Sequence, residues 1–389
     1  MDKYSYSTYF PLLVLLLGSC SQLSSPAVQT PLSTLPSSLE MGCSFIDSGQ
    51  RLGAGRSWDV SLGDLDGDGD LDAFVANGSP GDVSSQVWLN DGSGLFSPQN
   101  IQLGYGTGLA LGDLDGDGDL DVFIVGWEEQ GRVWLNDGEA GFTDSGQLIG
   151  EPGGYDVGLG DLDHDGDLDV VIAHELENTI WFNGGEGYFI DSGQRLGTAI
   201  SAAAGIADLD GDGDLDLISA GWDEPGLVWL NDGEGMFTNS GQTLSSDLIH
   251  IHGLAVADLN SNGAVDVVLA GSPNQTWMND GAGVFSEVEQ NLRLAPGDTA
   301  AIGDLDGDGD LDVYLAVGTS GQSEDSIWIN DGTGIFSDCG GKFSTGFSSG
   351  IGLGDLDGDG DLDAFVVHGQ LGLSTGGGLP NEVWWNETH

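Results

Sequence analysis

The sequence predicts an all-β protein, a seven-bladed β-propeller closed by pairing of its N-terminal strand with the C-terminal blade. Three observations predict it. The acidic stretch GDLDGDGDLD at 63–72 returns at 112, 303 and 354, nearly unchanged at 160 and 207, and more loosely at 257. Its copies begin at Asp64, Asp113, Asp161, Asp208, Asp258, Asp304 and Asp355, 46 to 51 residues apart, which is the length of one four-stranded blade. The segment FIDSGQRLG at 45–53 recurs letter for letter at 189–197, where it follows the third strand of an internal repeat.

Each repeat reads as four strands in order. A small-residue strand such as GLALGD comes first, then the acidic loop, then a short apolar run such as VFIV, then VWLN. The turn Asn-Asp-Gly follows, a strong hairpin signal, and leads into a strand that opens with Phe. The third-strand tryptophans number seven: Trp88, Trp134, Trp181, Trp229, Trp277, Trp328 and Trp384. The seventh repeat ends at VWWNETH with no Phe strand of its own. The segment 45–53 supplies it, which hides two edges that would otherwise be open. With 39% hydrophobic residues, 68 glycines and 11 prolines, the chain has ample core and many turns. No long amphipathic helical pattern occurs.

Crowded carboxylates repel, so an empty turn of this composition must take up protons or splay open. A hard cation removes the conflict. Side chains at positions 1, 3, 5 and 9 converge if the backbone curls at the glycine of position 6, and the position-7 carbonyl adds an oxygen. The oxygen-only donor set on a flexible loop favours calcium, in up to seven sites. The ligand positions are Asp64, Asp66, Asp68, Asp70 and Asp72; Asp113, Asp115, Asp117, Asp119 and Asp121; and Asp161, Asp163, Asp165, Asp167 and Asp169. They continue with Asp208, Asp210, Asp212, Asp214 and Asp216; Asp258, Asn260, Asn262 and Asp266; Asp304, Asp306, Asp308, Asp310 and Asp312; and Asp355, Asp357, Asp359, Asp361 and Asp363. The fifth loop, with two asparagines and Ala264 at position 7, is expected to be the weakest. An EF-hand needs a glutamate at position 12, where the first two copies hold Val75 and Ile124.

The period, the D-x-D-x-D-G-x-x-D loops after a G-D pair and the VWLNDGxGxF hairpins resemble the FG-GAP or VCBS repeats of integrin alpha subunits and many bacterial surface proteins. The resemblance covers residues 43–389. It implies a seven-bladed propeller with calcium in the loops between first and second strands on a lower face, and partner binding on the opposite face.

Residues 1–20 read as a secretory signal: Phe10 to Leu17 is apolar and too short to span a bilayer. It runs into LGSC, which resembles the lipobox of bacterial lipoproteins and marks Cys20 for lipidation. Residues 21–42, rich in Ser and Pro, form a flexible tether, and 43–389 form the propeller. Export lets the remaining Cys43 and Cys339 oxidise; sequence leaves their pairing open. The localisation expected is the cell surface, lipid-anchored at the outer or cytoplasmic membrane, with simple secretion as the alternative.

A formal net charge of −57, with 7 Lys+Arg against 64 Asp+Glu, argues against nucleic acid or an anionic membrane as partner. The membrane would be met only through the lipid. A monomer is expected. On the upper face the start of each inner strand holds Trp58, Thr107, Tyr155, Ala202, His252, Asp298 or Ser349, and the loops after the second strands add Trp127, His174, Trp222 and His368. Trp58, Tyr155, His252, Trp127, Trp222, His174 and His368 are the candidate ligand-binding residues, because aromatic rings beside carboxylates stack on sugars or anchor proteins. Packing between blades is the alternative for each. No H-E-x-x-H or phosphate-loop motif is present, and no catalytic residue is assigned. The reading is a non-catalytic calcium-binding surface or adhesion module for an extracellular protein or glycan. The runner-up is a secreted propeller enzyme, a polysaccharide lyase or a phosphohydrolase.

Overall fold

A computed structural model describes residues 43–389 apart from 54, 79–82, 223–224, 246–249, 291, 293–296, 319–323, 342, 345, 370–378 and 389. Cys20, the signal and the tether lie outside the described residues, as do Asp223 and Glu224 beside Trp222. The described residues form seven antiparallel four-stranded sheets and no helix. Blade 1 spans 57–98, blade 2 108–144, blade 3 154–196, blade 4 201–244, blade 5 250–288 and blade 6 299–338. Blade 7 joins three strands at 348–386 to the strand Phe45–Asp47. The inner strands touch in a closed ring, blade 7 against blade 1 included.

Closure follows the register of the other blades. Phe45 stands opposite Asn386 as Phe189 stands opposite Asn183, Phe285 opposite Asn279 and Phe336 opposite Asn330. Phe45 also meets Phe343 edge-on at 5.7 Å between ring centroids. Cys43 and Cys339 are disulfide-bonded with 5.9 Å between Cα atoms, so the pairing left open by the sequence ties the closing strand to blade 6.

Second strands such as Asp72–Asn77 are buried throughout, because each lies between two sheets. The apolar cores therefore sit between neighbouring blades, one at each of the seven interfaces. Between blades 1 and 2, Phe74 meets Phe142 edge-on at 5.6 Å. Each such fully buried ring contributes about 1.5–3 kcal/mol.

Polar side chains stitch the same interfaces. Near the channel, Ser349 Oγ donates to the Ser57 carbonyl at 2.7 Å and Thr107 Oγ1 to that of Gly154 at 3.0 Å. Asp59 Oδ2 accepts from Leu109 N–H at 2.9 Å, and Asp156 Oδ2 from Ala204 N–H at 3.0 Å. On the loop side, the asparagine of each hairpin reaches the preceding blade. Asn183 Nδ2 donates to the carbonyls of Leu114 at 2.8 Å and Leu168 at 3.3 Å, and Asn90 bonds back to Leu356 in blade 7.

Candidate metal loops and the aromatic face

The acidic loops join inner to second strands at one end of every blade, as the sequence requires. In loop 1, Asp64 curls the chain back on itself, accepting from Gly67 N–H at 2.8 Å and Gly69 N–H at 3.1 Å. Gly69 has φ +97°, a conformation that costs a side chain dearly. Asp72 is fully buried; its Oδ2 accepts from Leu65 N–H and its Oδ1 from Asn90 N–H. One oxygen each from Asp64, Asp66 and Asp72 lies within 4.8 Å of the others, and the same holds for loops 2, 3 and 4 and for Asp304, Asp306 and Asp308 of loop 6. The position-7 carboxylate of Asp70 turns away, against the hairpin Gly92, consistent with a backbone rather than side-chain ligand there.

These oxygens fit a cation. Asp66 Oδ1 and Asp161 Oδ1 are buried with no hydrogen-bond partner. Burial, then the neighbouring charges, raises Asp66 above the usual carboxylate range. Burial first of all pushes Asp72, Asp121, Asp216 and Asp266 up to about 6, and Asp169, Asp312 and Asp363 to about 7. A cation bound among such carboxylates would offset the burial and the mutual repulsion that raise them.

Loop 5 is built differently. Asn260 Nδ2 donates to Asp266 Oδ2 at 3.0 Å, while its Oδ1 accepts from Asn262 N–H at 3.1 Å.

At the other end of the ring, five consecutive blades each send one ring into an unbroken row. Trp58 lies 5.2 Å from Trp127, Trp127 6.0 Å from Tyr155, Tyr155 5.4 Å from Trp222, and Trp222 6.1 Å from His252. Phe347 of blade 7 packs on Trp58, and Asp298 of blade 6 lies 3.6 Å from His252. Trp58 and Tyr155 are buried, whereas Trp127, Trp222 and His252 keep part of their surface. Burial pushes His252 down to about 4, so its ring is neutral at pH 7.

The other two candidates stand apart. His174 is engaged by its own chain, through Glu151 O at 3.3 Å and Leu176 N–H at 3.2 Å. It lines a cavity of about 420 Å³ between blades 2 and 3, with Trp181, Glu129, Glu177 and the Asp191–Arg195 pair. His368 is buried, its Nδ1 2.8 Å from Pro380 O and its Nε2 2.7 Å from Ser344 Oγ. Ser344 leads through Ser348 to Asp325, which is wholly buried. Nothing in the spacing of these residues pointed to the network, whose bonded partners lie 4 to 24 residues apart.

A ring of repeat blades with acidic loops at one end defines a repeat propeller. The model of the FG-GAP-like repeat matches residues 64–124, 113–172, 208–269, 260–315 and 304–366, and the chain belongs to that family. No curated protein matches it in sequence. Among solved structures, the chain is similar to BBS1N in complex with ARL6DN, at TM-score 0.59 and 10% identity over 89% of this chain and 98% of that one. It is similar also to a Lactobacillus plantarum protein, at TM-score 0.57 and 13% identity over 78% and 89%. A lectin of Agrocybe aegerita that recognises non-reducing terminal N-acetylglucosamine aligns at TM-score 0.48 and 23% identity, over 77% and 83%. At these identities the likeness is one of fold.

Proposed function

We propose that this chain is an exported, calcium-binding propeller that acts without catalysis as a binding module at the cell surface, anchored through a lipid on Cys20. Its partner is an extracellular protein or a glycan, taken up on the face opposite the acidic loops. The aromatic row carries the reading. Half-buried indoles held in place by their neighbours offer flat apolar area at little entropic cost, which suits a sugar ring or a protein anchor. The calcium loops at the far end hold the blades that present the row.

The test is a glycan array and a pull-down from extracellular material, both in calcium, with the native chain and a Trp127→Ala/Trp222→Ala variant of equal melting temperature. Retention that the variant loses supports the reading. Release of phosphate or of unsaturated sugar by the native chain overturns it.

A further inference from the structure

Asparagine is an acceptable calcium ligand through its carbonyl oxygen, so the substitutions in loop 5 do not by themselves abolish the site. The orientation of the amides decides. In loops 1 to 4, positions 3 and 9 set carboxylate oxygens against each other within 4.8 Å. In loop 5 the facing atom is an amide nitrogen, Asn260 Nδ2, which donates to Asp266 Oδ2 at 3.0 Å and touches Met278 Sδ at 3.3 Å. Turning that amide over would set oxygen against the Asp266 oxygen and NH₂ against the Asn262 N–H that Oδ1 now accepts. Asn262 is fixed in the same way: its Oδ1 accepts from Ala264 N–H at 2.7 Å and its Nδ2 donates to the Asn279 carbonyl at 3.1 Å. Only Asp258 and Asp266 bring charge, where the other loops bring five aspartates.

We infer that loop 5 is a metal-independent turn in which two side-chain amides stand in place of the cation, so that the chain binds six calcium ions rather than seven. The inference rests on the calcium reading of the other six loops. Blade 5 is then the one blade whose loop keeps the same bonds with and without calcium.

Metal counting after equilibrium dialysis of the chain against calcium tests it. The native chain should retain six ions, Asn260→Asp/Asn262→Asp seven, and Asp66→Asn/Asp68→Asn, which copies both amides into loop 1, five. Melting curves in calcium establish that each variant is folded. Seven ions on the native chain, or a count that the loop 5 variant leaves unchanged, overturns the inference. No retained ion in any of the three overturns the calcium reading itself, an outcome distinct from seven.

Discussion

Gln50 holds the backbone of Phe96: its Oε1 accepts from Phe96 N–H at 3.0 Å, and its Nε2 donates to the nearby Gly94 carbonyl at 2.7 Å. Gln50 follows the closing strand of blade 7, and Phe96 belongs to blade 1. The same two-ended clamp recurs from Gln194 to Gly235 and Phe237 and from Gln242 to Gly283 and Phe285, so the glutamine of S-G-Q has a mechanical role between blades; Gln290, outside an S-G-Q, does the same for Gly334 and Phe336.

Replacing Gln50 with Ala removes both bonds at the interface between blades 7 and 1. The expected loss is about 1–3 kcal/mol, read as a lower midpoint in urea with an unchanged slope. Ile46→Ala, at a side chain 52% exposed on the same strand, should shift it by far less.

Asn183 joins blades 2 and 3 through two carbonyls, Leu114 and Leu168. Asn183→Asp would aim a carboxylate at both and should destabilise more than Asn183→Ala, the latter by about 1–3 kcal/mol. A smaller loss for Asp than for Ala in thermal melts would count against the clamp.

Calcium should set the melting temperature. Each site that binds only the folded chain adds about 2.7 kcal/mol at a hundredfold excess over Kd. Chelation should lower the melting temperature steeply and calcium should restore it, magnesium less well. An identical melt in chelator would remove the metal from the account.

Asp325 is buried on Val317 N–H and Ser348, and burial first of all pushes it up to about 7. An acid whose folded pKa exceeds its unfolded one favours the fold while protonated. Its contribution is therefore full below about pH 4 and lost as pH rises through 7, on the order of 2–4 kcal/mol. The melting temperature of the native chain relative to Asp325→Asn, both in saturating calcium, should fall between pH 4 and 7; a flat difference would show that Asp325 titrates normally.

The blade period, the strand order and the closing strand were legible in the sequence because each is carried by spacing along the chain. The clusters of acidic oxygens were legible for the same reason: Asp64 and Asp72 belong to one short turn. The clamps were not. Asn136 finds Leu65 71 residues away, and Gln147 finds Phe189 42 away, partners that only ring closure brings together. The aromatic positions could be assigned to the upper face, but their contact across five blades depends on ring curvature, which no local pattern encodes. His174 and His368 looked like the other upper-face candidates in sequence and differ only in having backbone or serine partners at hand.

The Cys43–Cys339 bridge has a consequence for force. Any pull applied to the chain ahead of residue 43 reaches a covalent link before it reaches the hydrogen bonds of Phe45–Asp47. The load passes into the end of blade 6 instead of peeling the closing strand from its neighbour, strand pair by strand pair. With the bridge reduced, the same pull unzips three residue pairs in sequence, the weakest mode of loading a sheet. The oxidised ring should therefore yield at a much higher tension than the reduced one, with the acidic loops untouched.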